Sequence, residues 1–154
     1  MGIDGNMMTV TLVFSPDKEF VLMCLHEKQQ MMNFIGGHVK ELENNRVASY
    51  RELQEETGIK PEDINLKFVR EEHTTSMAFG DGSSSSVFGL YVMAGVLDRD
   101  IELIEEKNYL TWISIYDIDT FIMRSMGFGN CYTYLMEAIQ VLGIEYDKNK
   151  IVRS

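Results

Sequence analysis

From residue 51 to residue 56 the chain reads Arg-Glu-Leu-Gln-Glu-Glu, which sets the carboxylates of Glu52, Glu55 and Glu56 at i, i+3 and i+4. On a helix that spacing puts all three on one face. Carboxylates so placed repel one another by roughly several tenths of a kcal/mol per pair even when exposed. A hard divalent cation, which prefers oxygen ligands, turns the same cluster into a stable site. Such a cation could also mediate the binding of an anionic substrate. Glu-rich helix faces also occur as plain solvated surface, so the three carboxylates alone leave two readings open. Two neighbours favour the site. Arg51, one turn before Glu55, can hold that carboxylate by a charge-assisted hydrogen bond and fix its rotamer. Gly36 and Gly37, at the end of an extended run, allow close approach of the backbone to a ligand.

Elements must hold these groups in place. The pattern predicts a helix over Asn44 to Thr57, closed by Gly58 at the C′ position with Pro61 beyond it. Its core stripe is expected to be Val47, Tyr50, Leu53 and Thr57, with the small Ala48 among the carboxylates. Met7 to Phe14 and Glu19 to His26 are β-rich, and Ser15-Pro16-Asp17-Lys18 between them predicts a type I turn and a hairpin. Met32 to Gly36, Asn65 to Glu72, Val87 to Leu97 and Tyr109 to Ile113 read as further strands. Gly80 to Ser86 is a Gly/Ser-rich connection without the ending of a phosphate-binding P-loop. Ser114 to Arg124 and Cys131 to Leu142 have helical apolar spacing. Strands interrupted by a few helices, without regular alternation, predict an α+β fold or a sheet sandwiched by helices.

Composition narrows the function. The 154 residues form one expected domain, 1–154, with 24 Asp and Glu against 14 Lys and Arg and a formal charge of −10. Such a surface repels nucleic-acid polymers, whose binding depends on Lys and Arg displacing counterions. An anionic small substrate would therefore need a cationic mediator, and a divalent metal is the obvious one. No apolar run approaches the length of a membrane span, so no membrane partner is expected. Residues 1 to 6 lack the basic start and apolar stretch of a secretory signal. Cys24 and Cys131 form no metal-type pair, which fits a reducing cytoplasm. The eleven methionines read as flexible core filler. Oligomeric state stays open, a homodimer being one option.

The stretch from Gly36 to Ile59, GGHVKELENNRVASYRELQEETGI, resembles the Nudix box, G-x5-E-x7-R-E-U-x-E-E-x-G-U with U aliphatic. Gly37, Glu43, Arg51, Glu52, Leu53, Glu55, Glu56, Gly58 and Ile59 fall on its defined positions with every spacing correct. At residue frequencies of roughly 5–10% each, a chance match is of order one in 10⁸ or rarer per start. The resemblance implies the Nudix fold, a mixed β-sheet between helices (α/β/α), with the box as loop–helix–loop. It implies a metal-dependent pyrophosphohydrolase that cleaves a nucleoside diphosphate linked to another moiety. Glu52, Glu55 and Glu56 would bind Mg²⁺ or Mn²⁺, Gly37 would add backbone to the metal site, and Arg51 would orient the glutamates. Glu43 and Gly58 would support the motif. A chain with no extra domain before its first strand points to a nucleoside triphosphate or related small nucleotide, giving nucleoside monophosphate and pyrophosphate. An ADP-sugar or dinucleoside polyphosphate is the alternative substrate, and a catalytically silent nucleotide sensor is the alternative class.

Outside the box, Glu106 stands six residues before Trp112, the spacing of a metal-site acid in MutT-like members of the family. It could be a further ligand or the general base, or part of an exposed acidic loop. Asn130 reads as a helix N-cap or, by position in that branch, as a base-reading residue, with the cap preferred. His38 occupies a free position of the box, and His26 and His73 show no metal-ligand pattern. Many members of the family read G-G-x-[VI]-E-x-G-E, whereas this chain has Lys40 and Leu42 at the Glu and Gly positions. Paired departures predict a loop rebuilt around Leu42, with the leucine packed on apolar neighbours or substrate rather than strained at positive φ.

Overall fold

The computed structural model describes residues 7–26, 31–78, 84–104, 109–117 and 131–151. Its strands are β1 (Met7–Phe14), β2 (Phe20–His26), β3 (Met31–Asn33), β4 (Ile35–His38), β5 (Lys67–Ala78), β6 (Ser84–Val96) and β7 (Tyr109–Ser114). The α-helices among the described residues are α1 (Asn45–Thr57) and α2 (Cys131–Leu142), and short 3₁₀ turns cover Pro61–Asp63 and Lys148–Lys150. No helix among the described residues is long and apolar enough to cross a membrane.

The strands form one mixed sheet ordered β3-β2-β1-β6-β5, with β4 added to β1 and β7 to β2. The β1–β6 pair is parallel and the other pairs are antiparallel. Period-two alternation sends side chains to two cores. Val10, Leu12 and Phe14 of β1, with Val21 and Met23 of β2 and Leu90 and Val92 of β6, pack under Tyr134, Leu135, Ala138 and Ile139 of α2. Val13, Leu22, Cys24, Ile35 and Met93 face the other way, under Leu53 of α1 and Ile59, Ile64 and Leu66 after it. Both faces are therefore covered, and the α+β sandwich expected from the sequence is present.

The predicted β1–β2 turn closes, with the Lys18 amide donating to the Ser15 carbonyl at 2.8 Å. The strands then part after the single rung Phe14↔Val21. From Thr11 to Met8 the edge of β1 is taken instead by β4, pairing Thr11↔Ile35 through Met8↔His38, while β2 pairs along its length with β7. The expected extended run at Met32 to Gly36 is thus two strands, and the second delivers Gly36 and Gly37 into the split. The β5–β6 hairpin is longer than the sequence implied, with pairing out to Ala78↔Ser84. Ladder hydrogen bonds come from the backbone, so the serines read as loop are accommodated in a strand. Ser114 ends β7 and Ile115 to Asp117 form a turn, against the helix expected from Ser114; residues 118–124 of that expectation lie outside the described residues.

Candidate active site

Helix α1 carries the acidic residues, and its ends are fixed by local chemistry. The Asn44 side chain accepts from the Arg46 amide at 2.8 Å, an N-cap that satisfies one of the first-turn donors. Gly58, at φ 81°, donates its amide to the Gln54 carbonyl and ends the helix in the left-handed region that glycine adopts without strain. The Thr57 hydroxyl donates to the Leu53 carbonyl at 2.7 Å and accepts from the Ile59 amide at 3.1 Å.

The buried stripe differs from the expected one. Ala48, Ser49, Leu53 and Thr57 are buried, whereas Val47 is 58% exposed and Tyr50 half-buried. The helix is rolled so that the carboxylate side borders the core. Ala48 lies in the interior, and Glu52 sits at its rim with a side chain only 12% exposed. Pressing the carboxyl-bearing face toward the sheet brings Glu52 against β4. A Cβ built on Gly37 would overlap the Glu52 carboxyl group, and one on Gly36 would overlap the Thr9 carbonyl. Each glycine of the pair thus serves a different close approach.

Arg51 organises the rest. Its Nε donates to Glu43 Oε2 at 2.7 Å and one Nη2 hydrogen to Glu43 Oε1 at 2.9 Å, a bidentate pair. Nη2 also donates to the His38 carbonyl at 2.9 Å, and Nη1 reaches Glu52 Oε1 at 2.9 Å and Glu55 Oε2 at 3.1 Å. A guanidinium has five N–H donors, and these five bonds engage all of them. Arg51 is therefore a positioning residue that ties the loop after β4 to two acids of the helix.

Electrostatics separates the acids. The Arg51 hydrogen bonds hold the Glu43 carboxyl down at about 2, so it is ionised throughout the physiological range. Burial pushes Glu52 above the ordinary carboxylate range, the nearby charges of Glu55 and Glu56 add to this, and Arg51 offsets it only in part. Burial, with the negative charge of Glu56, also pushes the Cys24 thiol up to about 12, which removes it as a nucleophile at neutral pH. Three carboxylates, those of Glu43, Glu52 and Glu55, thus surround one guanidinium, and Glu56 adds its charge to Glu52, leaving excess negative charge in a half-buried place. That is the condition a hard cation relieves. Glu52 and Glu55 each turn an oxygen to Arg51, and no three His, Cys, Asp or Glu side chains among the described residues converge as a metal cluster.

The turn before the helix corrects one expectation. The Glu43 amide donates to the Lys40 carbonyl at 3.0 Å, and the Lys40 amide donates back to Glu43 Oε1 at 3.0 Å. Leu42 occupies the third position of this turn at φ 67° and is 98% exposed. The loop has therefore kept a left-handed residue and has not been rebuilt around a packed leucine. The reason is Glu43, whose bonds to Arg51 and to Lys40 close the turn whatever residue stands at 42. A left-handed conformation costs a non-glycine residue about 1–2 kcal/mol. Leu42→Asn, which tolerates this region without loosening the unfolded chain as glycine would, should stabilise the protein by up to ~1 kcal/mol. A thermal melt checks this, and a lower melting temperature for the variant would contradict the strain.

Glu106 and Asn130 lie outside the described residues, as do positions 79–83 of the Gly/Ser-rich connection. His38 enters through its backbone carbonyl, a role side-chain chemistry could not reveal. His73 is bound to Glu71 at 2.8 Å on β5. Sequence reasoning missed Asn44 as the cap and the separate duties of Gly36 and Gly37. The Asn before an acidic helix was a readable signal, whereas the overlap with Thr9 needed the strand pairing.

Comparison with known proteins agrees with this geometry. The family model for the NUDIX domain matches residues 6–125. No curated protein sequence matches the chain significantly. Among solved structures, the E. coli dihydroneopterin triphosphate pyrophosphohydrolase is similar with a TM-score of 0.67 at 14% identity, over 90% of this chain and 96% of that one. The NUDIX domain of Shewanella oneidensis NrtR, complexed with ADP ribose, gives 0.65 at 13% identity over 88% and 86%. A C. elegans Ap4A hydrolase gives 0.62 at 16% identity over 89% and 97%. At these identities the likeness is one of fold, while the family match spans most of the chain. With the box residues gathered around Arg51 on a fold of this kind, the chain belongs to the Nudix hydrolase family and is a pyrophosphohydrolase of the Nudix type.

Proposed function

We propose that the chain is a divalent-metal-dependent pyrophosphohydrolase that cleaves the diphosphate linkage of a nucleoside triphosphate or a related small nucleotide. The observation that carries the reading is the set of three carboxylates, Glu43, Glu52 and Glu55, held around one fully engaged guanidinium, with Glu52 pressed against Gly37 and Glu56 on the same helix face. The donor set suits Mg²⁺ or Mn²⁺, being all oxygen and over-supplied with negative charge. Glu52, Glu55 and Glu56 would hold the ion, with the Gly37 backbone beside them. Glu55 is nearly half exposed, so its carboxylate can turn from Arg51 to a ligand without disturbing the core. When bound, the ion supplies charge neutralisation for the diphosphate, stabilisation of the leaving oxygen and a lowered pKa for water.

The chain's own residues do the positioning. Arg51 anchors Glu52 and Glu55 through one nitrogen and so fixes both carboxylates, and Glu43 keeps Arg51 in place. The overall negative charge keeps nucleic-acid polymers out and leaves small anions to be taken up with their cation. The compounds named for the similar structures, dihydroneopterin triphosphate, ADP ribose and Ap4A, all contain a phosphoanhydride, and that shared bond supports the reaction class. Water attacks an internal phosphorus, the bridging P–O bond breaks, and the oxygen leaves on pyrophosphate or on the phosphorylated second moiety. A panel of nucleotides hydrolysed in ¹⁸O-labelled water, with Mg²⁺ and with EDTA, tests this. Nucleoside monophosphate and pyrophosphate are the expected products from a triphosphate. Orthophosphate as the first product, or full turnover in EDTA, would overturn the reading.

A further inference from the structure

A phosphate chain bound through an ion still presents oxygens that need donors, and helix α1 has few to offer. Arg51 has none left, since its five N–H groups serve Glu43, Glu52, Glu55 and the His38 carbonyl. Arg46 stands nine residues before Glu55, two and a half turns along and so on the opposite side of the helix. Its guanidinium lies 5.6 Å from the centroid of the Tyr50 ring. The segment between β4 and α1 supplies what the helix lacks. His38 and Lys40 are exposed and Val39 between them is buried, so the extended chain turns both side chains outward on one side. Neither the imidazole nor the ammonium has a hydrogen-bonded or ion-pair partner among the described residues.

Backbone bonds join both residues to the acidic face. The His38 carbonyl accepts from Arg51 Nη2 at 2.9 Å, and the same guanidinium holds Glu52 and Glu55 through Nη1. The Val39 amide donates to the Met7 carbonyl at 2.8 Å. The Lys40 amide donates to Glu43 Oε1 at 3.0 Å, and its carbonyl accepts from the Glu43 amide at 3.0 Å. The roots of the two side chains are therefore fixed just past Gly37, whose backbone would lie beside the ion. The Lys40 charge is close enough to help keep Glu43 ionised. An ammonium on a flexible stem suits a phosphate oxygen, and an imidazole offers an N–H in either charge state. An ion shared by two neighbouring phosphates leaves the charge of a third unmet. In a chain of formal charge −10, an uncommitted ammonium at the rim of the acidic face is the group placed to meet it.

We propose that Lys40 and His38 clamp the phosphate next to the pair held by the ion, so that the preferred substrate ends in a triphosphate rather than in a diphosphate linked to a second group. The proposal rests on the pyrophosphohydrolase reading for the place of the ion and adds the residues that select the length of the phosphate chain. It is tested by calorimetry with two probes that carry no base, inorganic triphosphate and inorganic pyrophosphate, each titrated with Mg²⁺ in excess. Wild type is compared with Lys40→Gln, Lys40→Arg, His38→Ala and Lys148→Gln. Lys40→Gln should weaken triphosphate by about 3–10-fold and pyrophosphate by less than ~2-fold. Lys40→Arg, which keeps charge and donors, should restore triphosphate to within ~2-fold of wild type. His38→Ala should weaken triphosphate by roughly 2–5-fold. Lys148→Gln removes the same charge from the 3₁₀ turn at Lys148–Lys150 and should change neither affinity. Triphosphate affinity that ignores Lys40→Gln, or falls equally in the Lys40 and Lys148 variants, overturns the clamp. Equal losses for triphosphate and pyrophosphate overturn it too, since the lysine would then not select chain length. If wild type binds neither probe with Mg²⁺, the pyrophosphohydrolase reading falls and takes the clamp with it. Mg²⁺-dependent binding of both probes that is blind to Lys40 removes the clamp alone.

Discussion

Glu55→Gln and Glu56→Gln each lower kcat by at least ~10²-fold and leave the melting temperature within a few degrees of wild type. Glutamine keeps the shape and removes the charge, so the fold has little to lose. Glu55 is nearly half exposed and is bound to Arg51 at 3.1 Å. Glu56 lies on the same helix face and raises both Glu52 and Cys24 by its charge, so neutralising it relieves repulsion in the metal-free protein. The loss falls on chemistry alone if these carboxylates place the ion. Steady-state kinetics with Mg²⁺ in excess, alongside thermal melts, checks both halves. Wild-type turnover in either variant would remove that residue from the metal set.

Arg51→Lys produces the second large effect, and it strikes stability as well as rate. A lysine ammonium is a point charge with three donors and cannot reproduce a planar fork serving Glu43, Glu52, Glu55 and the His38 carbonyl together. Charged hydrogen bonds of this kind contribute about 1.5–3 kcal/mol each before solvent screening. With the Arg51 side chain 19% exposed, a net loss of about 2–3 kcal/mol is expected, or a fall in melting temperature of roughly 4–12 °C. Catalysis should drop by at least ~10²-fold, because Glu52 and Glu55 lose their common anchor. The effect also depends on pH with a defined sign. Glu43 has a folded pKa of about 2 against roughly 4.3 when unfolded, so its contribution is present above the unfolded value and lost as pH falls toward 2. The stability gap between wild type and Arg51→Lys should therefore narrow between about pH 4 and pH 2. A gap that does not change over that range would mean that the Glu43 pair is not its source.

The box residues were legible because their chemistry and their spacing agree. Glu52, Glu55 and Glu56 at helical intervals, Arg51 beside them and Gly58 past the end need no tertiary information to be placed. The turn at Ser15 to Lys18 was legible for the same reason, but the fate of the strands beyond it was not. Which edge β1 offers to β2, and which to β4, depends on pairings remote in sequence. The stripe on α1 was misjudged because Val47 is more apolar than Ala48 and Ser49, yet packing against β1 and β4 favours the small residues at the close contact. Leu42 shows the opposite failure. Two departures from the family pattern pointed to a rebuilt loop, but the bonds of Glu43 dictate the backbone, and one strained residue is tolerated.

Mn²⁺ binding followed by electron paramagnetic resonance at neutral pH, in wild type and in the Glu52→Gln, Glu55→Gln and Glu56→Gln variants, bears most directly on the central claim. The account predicts a specific Mn²⁺ site in wild type, competed by Mg²⁺, with affinity at least ~10-fold weaker in each variant as charged oxygen ligands are removed. Wild-type protein without such a site, or Mn²⁺ affinity that ignores all three substitutions, would contradict it.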